Sequence, residues 1–206
     1  MVEKSGEFHP EFSRFSKMTP ALSKSAKPQR LDRETWLAVA LDFLAQTGGR
    51  LRIAELVEHL GVSKGSFYWH FRDREDFVRS VLDYWARQFT NIVAETIDGI
   101  EDGPEQRLLA VMEMVVFQRL ARYDVAMRAL AAEEPLAAQS VQRVDQFRLD
   151  YARSLFLDMG FTNEEATMRA QTFIGFHSVE PSIISDESQE EMQDIIRRRH
   201  AFFVKP

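Results

Sequence analysis

Between Leu51 and Arg74 the chain reads LRIAELVEHLGVSKGSFYWHFRDR, and a Lys, a Gly, a Ser and three large polar-tipped rings crowd into about two helical turns of it. Lys64 and Tyr68 are four residues apart and share one helix face, while Phe67 and Phe71, also four apart, share another. The Phe pair suits packing against Ile53, Val57 and Val62. The Lys–Tyr face has Gly65 beside it, so a backbone can come close to a base edge there. Tyr68, Trp69 and His70 in succession cannot all be buried, and leaving all three in water would waste their apolar area. Contact with the sugar and phosphate walls of a groove resolves that conflict. The chemistry this pattern supports is non-covalent recognition of double-stranded DNA through base edges and phosphates.

Covalent chemistry has less to stand on. The chain has no Cys, which removes disulfides, thiolate nucleophiles and thiol redox switches. No Ser-His-acid arrangement, phosphate-cradling loop or metal-ligand cluster is found. Glu133 and Glu134 are adjacent and precede Pro135, which reads as an exposed helix terminus and not as an acid-base couple. His177 is the only His between Pro104 and Glu180, and no other His or Cys gives it metal-ligand company, so a hydrogen-bonded core or interface role outweighs a metal site. The expectation is a protein that is not an enzyme and needs no metal and no cofactor.

The elements that must position these residues are helical almost without interruption. Asp32 can cap a first helix, whose Leu37, Ala40, Leu41 and Leu44 repeat at spacings of three and four until Gly48-Gly49 stops it. A second helix carries Ile53, Leu56, Val57 and Leu60 and ends at Gly61. Ser63 can cap a brief third helix. Asp73 can cap a fourth running to about Ile97, with Phe77, Val81, Tyr84 and Trp85 along its buried stripe. Two short helices joined by a tight Gly-containing turn make a helix-turn-helix. Farther on, Pro104 and Pro135 sit at helix starts. The second of these helices is long and ends before Gly160. Thr162 with Glu165 forms a capping-box pattern for a helix to about Glu180, where Pro181 breaks it. A last helix spans roughly Ser188 to Phe203. No strand or repeat is evident, so the expected fold class is all-α.

Charge divides the same way. Met1 to Arg74 holds 12 Lys and Arg against 9 Asp and Glu, a net of +3; Glu75 to Pro206 holds 14 against 23, a net of −9. A basic end can face phosphate while an acidic body is repelled by it. Residues 1–30, without periodicity and ending in Lys24, Lys27 and Arg30, read as a mobile basic tail. Residues 31–78 read as the DNA-binding domain, with helix four continuing to about 98, and 79–206 as a ligand-binding and dimerisation domain. No apolar run is long enough to span a membrane, and the N-terminus lacks a secretory core, so a cytoplasmic protein without a membrane partner is expected.

The run GVSKGSFYWHF, Gly61 to Phe71, resembles the turn and recognition helix of TetR-family transcriptional regulators residue for residue. The preceding IAELVEHL and following RDREDF also fit. This resemblance implies that Lys64, Gly65 and Tyr68 face bases. It implies that Ser66, Trp69, His70 and Arg74 grip phosphates, with Ser63 at the recognition helix's start. Arg52 stands where the family often has a Thr, a departure that keeps phosphate attraction while changing the contact. Lys64 suits guanine O6 or N7, and Tyr68, thymine methyls and DNA shape would add discrimination.

A weaker resemblance runs from Pro104 to Phe176, through YDVAMRALAAEEP, VDQFRLDYARSLFLDMGF and EEATMRAQTF. It implies architecture only: an N-terminal three-helix domain followed by a helical bundle, whose last two helices pair with their copies in a homodimer. Phe173, Ile174, Phe176, Met192, Ile195 and Ile196 are the apolar candidates for that interface. A two-fold dimer calls for a near-palindromic operator. Met112, Met114, Phe117, Met127, Phe147, Tyr151 and His177 are candidates for a pocket, although Met and aromatic residues at helical spacing are more often core. The function expected is a dimeric, sequence-specific repressor released by a small apolar or amphipathic effector. The alternative is a DNA-bound adaptor whose acidic body recruits a protein partner without a small ligand.

Overall fold

The computed structural model describes residues 31–179 and 188–205; the basic tail and the break at Pro181 lie outside them. Among the described residues the chain forms α1 (Arg33–Gln46), α2 (Ile53–Leu60), α3 (Lys64–His70), α4 (Arg74–Ala86), α5 (Ile92–Asp98), α6 (Pro104–Phe117), α7 (Ala121–Ala131), α8 (Pro135–Asp158), α9 (Asn163–Val179) and α10 (Gln189–Val204), with no strand.

The caps fall where the polar residues place them. Asp32 accepts from the Thr35 N–H at 2.7 Å, Ser63 from Ser66 at 3.3 Å, and Asp73 from Asp76 at 2.8 Å. Thr162 with Glu165, and Ser188 with Glu191, close reciprocal capping boxes. Gly61 ends α2 in the left-handed conformation, φ 64°, and lets the Val62 N–H return to the Val57 carbonyl at 3.2 Å.

Two joints differ from the sequence expectation. The helix expected from Asp73 to about Ile97 is α4 and α5 with a π-helical turn, Arg87–Asn91, between them. The buried stripe explains it. Phe77, Val81 and Trp85 are followed by Ala94 and Ile97, and Trp85 to Ile97 is about one residue longer than three turns of 3.6. A π turn absorbs the extra residue and keeps both halves facing the core. The second joint is a break at Gln118–Leu120, where Arg119 takes φ 53° without Gly or Pro to announce it. It turns α7 so that Leu120, Tyr123, Ala126, Met127 and Leu130 are buried.

Two apolar clusters result. The larger runs from α1, α2 and α3 through α4 into α7 and the first half of α8, so the N-terminal helices share one core with the body. The smaller joins α6, the second half of α8, α9 and α10 around Phe156, Phe173, Ile196 and Phe203.

Candidate nucleic-acid interface and ligand cavity

Helix α3 is pinned from behind. Phe67 and Phe71 are buried, and Trp36 of α1 meets both edge-on, at 6.0 and 6.1 Å between centroids. Phe77 of α4 meets the same two rings at 5.2 and 4.8 Å. Such edge-to-face contacts orient rings as well as burying them. The sequence reading supplied Phe67 and Phe71 but not Trp36 as their partner; its place inside the first apolar stripe was the available signal.

The other side of α3 is open. Tyr68 and Trp69 are each 64% exposed, and Ser63, Lys64 and Gly65 are exposed beside them. Ser66 and His70 are half-buried, with the His70 imidazole 4.6 Å from the Trp69 ring. A methyl group built on Gly65 would meet only Ser63 Oγ, at 3.6 Å, so the fold itself does not require glycine there. Two of the candidate phosphate contacts are engaged within the chain. Arg52 pairs with Glu55 at 3.1 Å on the exposed start of α2, and Arg74 pairs with Glu134 at the start of α8.

The N-terminal helices rest on α7. Asp42 of α1 accepts from the Tyr123 hydroxyl at 2.6 Å and from Arg122 at 3.3 Å. Burial, followed by the bond to Asp42, raises the Tyr123 phenol above its usual pKa. Gly49, φ 86°, lies so close to α7 that a Cβ there would meet Ala129 Cβ at 2.6 Å and the Ala126 carbonyl oxygen at 2.7 Å.

Behind α7 is a cavity of about 70 Å³. Leu108, Val111, Val115, Leu120 and Leu155 make much of its wall, and Thr90, Asp124, Arg148, Tyr151, His177 and Ser178 bring polar groups to it. Arg148 donates to Asp124 at 2.6 Å. The His177 Nδ1 lies 2.8 Å from the Phe173 carbonyl oxygen, which can only accept, so that nitrogen carries the proton. Of the seven residues proposed for a pocket, Phe147, Tyr151 and His177 line this cavity. Met112, Met114 and Met127 do not: each is completely buried and fills space between helices. Phe117, partly buried, packs on the smaller core. Thr90, Asp124 and Arg148 were not foreseen, because nothing local marks a Thr in a π turn or an Asp and an Arg on different helices.

Exposed apolar side chains stand among polar ones on the outer face of α9 and α10. Met168 is 69% and Phe202 73% exposed, Val179 is exposed, and Thr172, Phe176, Arg198 and Arg199 form a shallow groove with Phe202. Of the six candidate interface residues, Phe176 and Ile195 are half-buried. Phe173 and Ile196 instead fill the smaller core, Met192 packs partly against it, and Ile174 lines the cavity. Helix phase accounts for this: Ala166, Ala170, Phe173 and His177 repeat at spacings of three and four on the buried side of α9, and Phe176, about 60° round from Phe173, sits at its edge, half-buried.

Residues 37–81 match the family model of bacterial regulatory proteins of the tetR family. Two solved structures are similar over most of the chain. One, from Rhodococcus sp. and described as a TetR-family transcriptional regulator, has a TM-score of 0.62 at 18% identity, covering 82% of this chain and 97% of that one. The other, the reduced form of E. coli NemR, has a TM-score of 0.62 at 18% identity, covering 81% of this chain and 94% of that one. At this identity the likeness is one of fold. No curated protein matches the sequence.

Proposed function

We propose, from the premise that this chain is a TetR-family transcriptional regulator with a DNA-binding helix-turn-helix, that it is a homodimeric repressor released from a near-palindromic operator by a small apolar or amphipathic effector. The observation that carries this reading is the double role of α7. Asp124 faces the cavity, while the neighbouring Tyr123 and the backbone around Ala126 hold the end of α1. A ligand that prefers one placement of α7 would therefore bias the placement of the recognition helix. The same cavity favours this reading over a ligand-free adaptor, for which a solid core would suffice.

In this reading residues 31–78 are the DNA-binding domain and 79–206 the sensing and dimerising body, sharing the α4–α5 rod. Lys64, Gly65 and Tyr68 address bases. Arg52, Ser66, Trp69, His70 and Arg74 address phosphates, with Ser63 holding the helix start. Arg74 would exchange Glu134 for phosphate, so DNA would compete with a contact to the body. The exposed face of α9 and α10 pairs with its copy and spaces two recognition helices for successive major grooves.

Selection of bound fragments from genomic DNA, repeated with Tyr68→Ala, tests the proposal. Enrichment of a near-palindrome that the variant loses is expected. Uniform weak binding by both proteins would mean that α3 does not read bases, and the reading would fail.

A further inference from the structure

The cavity's wall specifies a ligand more narrowly than its apolar character does. Asp124 and Arg148 both line it and bond to each other at 2.6 Å, each largely removed from solvent. The pair cancels its own charge. A ligand carboxylate reaching Arg148 would sit beside Asp124, and a ligand ammonium reaching Asp124 would sit beside Arg148. Either would surrender its hydration for a site with no net countercharge, among Leu and Val side chains. An uncharged hydroxyl or amide meets no such cost. Thr90 adds a second polar point: it is 5% exposed, lines the cavity, and its buried hydroxyl has no hydrogen-bond partner among the described residues.

Size supplies the other constraint. At about 70 Å³ the space is roughly half that of an engineered 150 Å³ cavity that accepts benzene. One wall must therefore move. Tyr151 is tied to Asp98 at 2.8 Å, and Phe173 and His177 are buried. Phe147 is different, being 44% exposed and stacked on the Tyr151 ring at 6.4 Å. Phe147 and Thr90 also line an outer groove with Asp83, Arg87 and Arg143, so they form the partition between the cavity and solvent.

We infer that the cavity takes an uncharged, mainly apolar molecule of about one ring, which enters past Phe147 and docks a single hydrogen-bonding group against Thr90 and the Asp124–Arg148 pair. This rests on the ligand-controlled reading above and narrows its effector to one chemical class.

Three probes of like shape test it on the full chain: benzyl alcohol, benzoate and benzylammonium. Thermal unfolding and tryptophan fluorescence are followed at pH 8, above the ordinary imidazole range. Benzyl alcohol should give a saturable rise in Tm, and each charged probe should bind about tenfold more weakly or worse. Asp124→Asn removes the carboxylate that faces Arg148 and should shift preference toward benzoate by about tenfold. Phe147→Ala, a change at a half-exposed site, should admit benzyl alcohol more tightly, and it serves if the Asp124 variant does not fold. A charged probe equal to or better than benzyl alcohol in the unsubstituted protein overturns the inference. So does the absence of any Tm rise in both that protein and Phe147→Ala. Release of the operator by benzoate would overturn only the uncharged class. Saturable binding of benzyl alcohol and of larger uncharged analogues, with operator affinity unchanged throughout, would sustain the class and overturn effector control.

Discussion

At the scale of single residues, the exposed and the anchored side chains of the helix-turn-helix should separate cleanly in their effects. Lys64 is exposed on α3 and has no ion pair among the described residues. Lys64→Ala should cost about 1–3 kcal/mol on the selected operator and relax preference at one position. Arg52→Ala should weaken binding similarly on all sequences and lower the salt-dependence slope by about one. Binding titrations at several salt concentrations distinguish the two. Asp32 makes a different prediction. Its bonds to Thr35 hold the carboxylate below its usual pKa. A depressed folded pKa contributes stability above the unfolded value, about 4, and loses it as pH falls through the folded one. Asp32→Asn should keep the cap but flatten the fall in urea midpoint between about pH 5 and pH 3.

At the scale of elements, the contact between the end of α1 and α7 is the joint through which the proposed effector control would pass. Gly48 and Gly49 both have positive φ, 63° and 86°, yet only Gly49 touches α7. Gly48→Ala meets open space and should cost about 1 kcal/mol from backbone strain alone. Gly49→Ala drives a methyl group into the backbone at Ala126 and Leu130 and should cost about 3 kcal/mol or more. Chemical denaturation measures both. If α7 carries the coupling, Gly49→Ala should also reduce the effector's influence on operator affinity beyond its effect on stability.

At the scale of the whole molecule, the proposed homodimer would rest on an outward face that the single chain leaves uncovered. Phe202→Glu places a charge on that face, away from either core. It should yield a monomer by sedimentation, with Tm no longer dependent on concentration and operator affinity sharply reduced. Phe173→Ala, on the inner side of α9, should instead cost about 3–5 kcal/mol of folding stability. A monomeric Phe173→Ala with unchanged stability would contradict this division of the helix.

Local chemistry made much of the protein legible. Caps at Asp32, Ser63, Asp73 and Thr162, the Gly61 turn and the helical spacing of apolar residues each depend on groups within a few residues. The all-α class and the helix-turn-helix were therefore readable from the chain. So was the open face of α3, since Tyr68, Trp69 and His70 cannot all turn inward. The π turn at Arg87–Asn91 and the break at Arg119 were not readable, because each answers to the body that the helix packs against. For the same reason Met112, Met114 and Met127 went to the cores and Phe173 and Ile196 turned inward: an apolar residue states that it will be buried, not against what. The Asp124–Arg148 pair joins α7 to α8. Long-range packing alone decides such a meeting, and with it which residues surround the cavity.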